Sequence, residues 1–351
     1  MPELGQIWQD YDLGVLEEGI QTLFPDRTFS LTDVFSKILA GDILGALKEL
    51  FFGGISDIFL MLSGMKNIFI WLILLGIMSA LMTQFIEVFD KKQIADLSFY
   101  FMYLLLSVIL LKCFGQAVDT AHAAVENIVL FNKLLFPTYL IAVGIATGGV
   151  TVAASYHLLL LIILGVESIF LGVVLPLIQS YVMLSVINGI WIEEKLSMLM
   201  DLLKKSIGWI LKAAISVVTG IGVFQAVITP VIDTVKTSTL KKVISVIPGV
   251  GSAAEGMMEM VMGSALIVKN SIGIILLVLL ILLCVTPLLQ IFLTAFLLKA
   301  AAAFMGIVSD KRITACANQA GEAGMLLFRT VGSAMFLFLV TIAVMATAAG
   351  K

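Results

Sequence analysis

Glu167 stands about a dozen residues into an apolar run, where a charged group at membrane depth costs about 3 kcal/mol or more. A carboxyl there must be protonated, paired, or turned toward a polar cavity. Lys112, Lys212 and Lys299 are cations in similarly apolar surroundings, and any of them is a candidate partner for it. Lysines of this kind also reach the interface by extending their methylene stems. Two readings of Glu167 therefore stand side by side: a structural buried pair, or a functional polar site that can carry a proton.

The rest of the catalytic inventory is empty. Neither GxSxG nor GxxxxGK[ST] occurs, HExxH is absent, and His122 and His157 are solitary, without a carboxylate and nucleophile at a recognisable spacing. Cys113, Cys284 and Cys316 are far apart and form no CxxC pair, so they read as small apolar core residues rather than a disulfide framework or a zinc site. No catalytic residue, cofactor or metal is expected, and the chain reads as a non-enzyme. An ATP-driven pump acting alone is excluded; energy must come from a gradient or a separate ATPase.

The elements that position these groups must lie in a membrane. Of 351 residues 60% are hydrophobic and only 13% charged, against about 25% charged in soluble domains, and mean hydropathy is +1.12. Apolar stretches repeatedly exceed the roughly 18 residues that cross a bilayer core. The expected fold is all-α: a polytopic transmembrane helical bundle of about 7–8 spans over residues 67–349. No basic run exceeds two residues, so nucleic acid is not an expected partner, whereas membrane lipid is.

The formal charge of -3 divides unevenly. Residues 1–66 hold ten acids and four bases (net -6), leaving fourteen acids and seventeen bases (net +3) for the remainder. This acidic front end reads as two amphipathic helices. In the second, Ser30 and Asp33 form a capping-box-like start, Leu31, Val34, Phe35 and Ile38 recur at helical spacing, and Gly53-Gly54 ends it.

Spans are expected at about 67–89, 97–118, 134–154, 156–190, 207–231, 270–308 and 326–349, with breaks near Pro176 and after Pro287 and a second crossing at 292–308. Lysine and arginine bias places Lys91, Lys92, Lys236, Lys241, Lys242, Lys311 and Arg312 in the cytoplasm and residues 1–66 outside. Lys195, Lys204 and Lys205 then fall on the outer side, against the rule. An exported front end needs a leader, and Met1–Asp10 lacks a basic start and an apolar core, so a removed leader is expected.

Small residues and amides suggest how the helices pack. Gly144 and Gly148 have GxxxG spacing, and Gln84, Gln179, Asn188, Gln225 and Gln290 can hydrogen-bond between helices. A basic residue precedes a glycine at Lys205–Gly208, Lys269–Gly273 and Arg329–Gly332, each read as a cation at the membrane boundary introducing a span. Residues 243–268 combine Pro248, Gly249 and Gly251 with a methionine-rich segment. They read either as a re-entrant or broken element lining a cavity, or as a loop followed by an amphipathic helix.

The last third carries a family resemblance. Lys236 and Lys241-Lys242 lead to Ile247-Pro248-Gly249-Val250-Gly251. Ser264-Ala265-Leu266-Ile267-Val268-Lys269-Asn270-Ser271-Ile272-Gly273 follows, then Pro287-Leu288-Leu289, Leu298-Lys299 and Asp310-Lys311-Arg312-Ile313. In order and spacing this resembles the stage III sporulation protein AE family of endospore-forming Firmicutes, and the hydropathy pattern agrees over the whole chain. The family more often has an aromatic where Leu298 stands and a proline where Gly306 stands.

The resemblance implies a mother-cell membrane protein around the forespore. It would be assembled with the other stage III sporulation A proteins, and it would connect across the intermembrane space to stage II sporulation protein Q. It also implies a signal peptide and a channel- or permease-like role in a secretion complex. On that reading Pro248, Gly249, Gly251, Asn270 and Gly273 are candidate pore or gate residues, and the chain is a candidate homo-oligomer.

Overall fold

The computed structural model describes residues 66–67, 69–81, 92–147, 150–191, 195–244, 251–307 and 309–348, with side chains for 66–67, 69–81, 97–133, 159–191, 195–224, 276–307 and 309–343. The expected amphipathic helices of the front end and the segment around Pro248 and Gly249 lie outside the described residues. Every described element is helical and no strand occurs among them.

A short apolar helix, α1 (Phe69–Leu81), precedes the main bundle. Then come α2 (Lys92–Thr147), α3 (Val150–Ile169), a π-helical turn (Phe170–Val174), α4 (Leu175–Ile190), α5 (Ser197–Ile244), α6 (Gly251–Met305) and α7 (Lys311–Ala348). Five segments are long and apolar enough to cross a membrane: Leu97–Lys133, Leu159–Ile190, Ser197–Phe224, Leu276–Met305 and Lys311–Ala343. The expected count of 7–8 spans is thus not reached among the described residues.

Two of the expected spans, 67–89 and 134–154, fall partly or wholly where residues or their side chains lie outside those described, and two pairs of expected stretches join within single helices. The stretch at 97–118 and residues 134–147 of the next stretch belong to one helix, α2, and the charges between them occupy a single exposed face. Asp119, His122, Glu126 and Lys133 are exposed, while Ala121, Ala124, Val125, Ile128 and Phe131 keep the opposite stripe buried. Likewise α6 runs unbroken past Pro287 to Met305, so 292–308 is no separate crossing. A proline is tolerated within a membrane helix where neighbours re-satisfy the freed carbonyl. Near Pro176 the expected break is absent: a π-helical turn joins α3 directly to α4, with Pro176 in the first turn of α4 and Leu159–Ile190 forming one continuous span.

Successive helices turn back on one another, which fixes which ends lie together. At one end the Tyr103 hydroxyl of α2 donates to the Val186 carbonyl of α4 at 2.7 Å. The Arg312 guanidinium of α7 lies 3.6 Å above the Phe99 ring of α2. Phe69 of α1 meets Phe304 of α6 edge-on at 6.3 Å. Toward the other end Phe131 and Phe338 pack edge-on at 5.3 Å. With α2 and α6 each a single helix, Lys195, Lys204, Lys311 and Arg312 belong to the same end of the bundle. This corrects the expectation that Lys195, Lys204 and Lys205 lie opposite Lys311 and Arg312.

The basic residues read as introducing spans also move. Lys204 and Lys205 fall inside α5, Lys269 inside α6 and Arg329 inside α7, because each helix extends well ahead of its apolar stretch. Residues 251–268 are helical and open α6, so within the 243–268 segment only 245–250 lie outside the described residues.

Packing is close where side chains vanish. A Cβ on Gly324 would lie 2.8 Å from the Ala295 Cβ, so α6 and α7 approach as near as their backbones allow. Gly189 sits against the Tyr103 ring in the same way, leaving room for the hydrogen bond to Val186. All three cysteines are free and buried, as core residues.

Candidate functional site

Glu167 is buried by the periodicity of its own helix. Leu159, Ile163 and Phe170 form the inward stripe of this segment, and position 167 falls four residues past Ile163 on that stripe. On α2 the stripe of Val125, Ile128 and Phe131 carries Asn132 inward in turn. Both side chains are 0% exposed. The Asn132 amide donates from Nδ2 to Glu167 Oε1 at 2.7 Å.

That single hydrogen bond is the compensation for a fully enclosed carboxyl. Glu167 Oε2 and Asn132 Oδ1 have no hydrogen-bond partner among the described residues. Such groups mark a place where a proton or a small polar species can be held, since a buried unmet polar atom costs about 1–3 kcal/mol. Glu167 also lies three residues before the π-helical turn, and π turns inside helices often occur at functional sites.

None of the three lysines expected as partners takes that place. Lys112 and Lys212 are exposed. Lys299 packs its stem against Gly321 and lies in the field of a different carboxylate, Glu322. The cation whose field reaches Glu167 is Lys133. Sequence reasoning missed Asn132 because its inward position follows from the register of α2, which was read as ending near residue 118.

A second polar cluster lies nearer the Arg312 end. Glu322 of α7 accepts from Lys204 Nζ of α5 at 2.7 Å and from the Tyr181 hydroxyl of α4 at 3.2 Å. One turn earlier, Gln319 Oε1 accepts from the Ser185 hydroxyl. Cys316 lies beside both Ser185 and Tyr103. Residues 316, 319 and 322 thus form a polar strip along α7, facing α4 and α5. Asn188, expected to bond between helices, instead accepts from the Leu196 amide across the turn after α4. The signal for this cluster was available in Gln319 and Glu322, spaced i,i+3 within a run of alanines and glycines.

The candidate pore residues fall outside the described side chains. Pro248 and Gly249 lie outside the described residues, Gly251 is the first residue of α6, and Asn270 and Gly273 lie within that helix, with no side-chain description.

Comparison with known proteins agrees with the resemblance. The family profile described as Stage III sporulation protein AE matches residues 29–349. A Bacillus subtilis (strain 168) protein, also named Stage III sporulation protein AE, is 23% identical over 279 residues, covering 79% of this chain and 70% of the relative. No solved structure matches. With the match extending over nearly the whole helical region, the chain belongs to the stage III sporulation protein AE family.

Proposed function

We propose that the chain is a non-enzymatic, channel- or permease-like membrane subunit of the sporulation transport complex that links mother cell and forespore. The observation that carries this reading is family membership over residues 29–349, a region that contains all five long apolar helices. The multi-pass protein resides in the mother-cell membrane around the forespore, with residues 1–66 in the intermembrane space. Its partners are the other stage III sporulation A proteins and stage II sporulation protein Q. Pro248, Gly249, Gly251, Asn270 and Gly273 remain the proposed pore or gate positions.

The test is affinity purification of the full chain from sporulating cells, with the co-purifying proteins identified by mass spectrometry. Recovery of other stage III sporulation A proteins and stage II sporulation protein Q supports the reading; a chain recovered alone from intact membranes contradicts it.

One observation favours a second reading, a self-contained proton-coupled secondary transporter using Glu167. It is the enclosed carboxyl with an oxygen left without a partner among the described residues. In that case the purified protein in liposomes moves a solute in response to a pH gradient, and Glu167→Gln abolishes the movement.

A further inference from the structure

One face of α2 changes character partway along the helix. Leu97, Phe101, Leu104, Leu105 and Val108 are exposed on it, a surface suited to lipid tails. From residue 112 the same face carries Lys112, Gln116, Asp119, Ala123 and Glu126, all exposed, with His122 beside them and 3.3 Å from the Glu126 carboxylate. These five positions recur at alternating spacings of four and three, which makes a stripe about 80° wide and about 21 Å long. Apart from Ala123, every exposed residue in 112–133 is charged, an amide or a histidine.

The neighbours of α2 set the depth of this stripe. Tyr103 bonds to Val186 and Asn132 to Glu167, so the part of α2 between those contacts runs alongside residues 168–185, where no charged residue occurs. Cys284 of α6 lies in the field of Glu167, which brings residues 270–298, equally free of charge, to the same level. The charge-free stretches 168–192 and 270–298 each exceed the about 20 residues of one crossing. Their exposed residues include Val173, Met183 and Ile187 on one side and Leu289 and Phe292 on the other. A polar face between such neighbours lies at hydrocarbon depth and requires water or polar protein beside it.

We propose that the 112–126 face of α2 lines a water-filled passage for hydrophilic solutes, enclosed by several copies of this chain. This deepens the channel reading and rests on it. Copies related by rotation about the membrane normal present identical residues at one level. Direct packing would then set Asp119 against Asp119 and Lys112 against Lys112. Like charges at that depth repel unless water stands between them, so the faces surround a lumen instead of closing on one another.

The experiment labels single-cysteine variants in broken membranes of sporulating cells, where an impermeant methanethiosulfonate reagent reaches both sides. Gln116→Cys and Ala123→Cys are compared with Leu104→Cys on the same helix and with Met183→Cys and Ile187→Cys on α4. The unmodified chain, whose cysteines at 113, 284 and 316 are buried, sets the background, and immunoblotting confirms that each variant accumulates. The expected result is labelling at 116 and 123 about tenfold faster than at 104, 183 or 187, because the reacting thiolate forms in water and not in lipid. Two differently tagged copies, expressed together and solubilised in mild detergent, should co-purify.

Three results overturn the proposal. Variants at 116 and 123 that accumulate but stay unlabelled would mean that protein or lipid covers the face. Equal labelling at 183 and 187 would place the whole level in bulk water outside the membrane. Tagged copies that do not co-purify would leave the passage without its other walls. Association with other sporulation proteins is read separately, so loss of the passage and loss of the complex are distinguishable.

Discussion

The ammonium of Lys204 on α5 lies 2.7 Å from the carboxylate of Glu322 on α7, a contact between residues 118 positions apart in the chain. It joins the first half of α5 to the middle of an otherwise alanine- and glycine-rich helix surface. The pair is partly exposed, with side chains 42% and 26% accessible, so its strength lies between that of a surface ion pair and that of a buried one. Lys204→Glu is expected to weaken the folded protein by about 1–3 kcal/mol, and Glu322→Lys to do the same. The double exchange should recover most of the loss. Thermal unfolding in detergent checks this, and a double variant no better than the worse single one would show that the two charges act independently.

Asn132 and Glu167 make a sharper case, because both are fully buried. Asn132→Leu strips the enclosed carboxyl of its donor and should destabilise by about 1–3 kcal/mol. Adding Glu167→Leu removes the orphaned group as well, and stability should return toward the starting value. A double variant less stable than Asn132→Leu would mean that the carboxyl has a further partner.

Glycine positions separate close approach from open space. Gly324→Val pushes side-chain atoms into Ala295 across the α6–α7 contact, and a loss of about 1–3 kcal/mol is expected. Gly220→Ala, where a Cβ meets nothing within 4 Å, should be neutral or slightly stabilising, since alanine favours a helix by about 0.5–1 kcal/mol. Comparison of melting temperatures in detergent distinguishes the two.

The three native thiols should be silent. Cys113, Cys284 and Cys316 are all buried, so an impermeant maleimide should label none of them in intact membranes and all three after denaturation. Labelling of the folded chain would contradict the packing around Tyr103 and Ser185.

What could be read in advance was set by composition and by strong periodicity. An all-helical membrane protein, core cysteines and an unusual Glu167 all follow from how few charges the apolar runs contain. The continuity of α2 could not be read in the same way. Hydropathy averages around a helix, so Asp119, His122, Glu126 and Lys133 looked like a gap between spans, although they decorate only one face. That misreading propagated: it hid Asn132 and placed Lys195 and Lys204 at the wrong end. Pro287 misled for a related reason, since a helix broken by proline in water can continue when neighbouring helices cover it. Glu322 pairs with Gln319 at i,i+3 spacing, a sign of a polar strip on α7, but its partners Lys204 and Tyr181 come from α5 and α4 and cannot be named from that spacing.

The reading of this chain as a conduit-forming subunit is tested most directly by late forespore gene expression in cells whose only copy carries Gly249→Leu or Gly251→Leu. A bulky side chain at the glycines preceding and opening α6 should block the passage without preventing membrane insertion. The expected result is loss of late forespore expression with the protein present at normal level in the membrane. Normal expression and normal spore yield in both variants would contradict it.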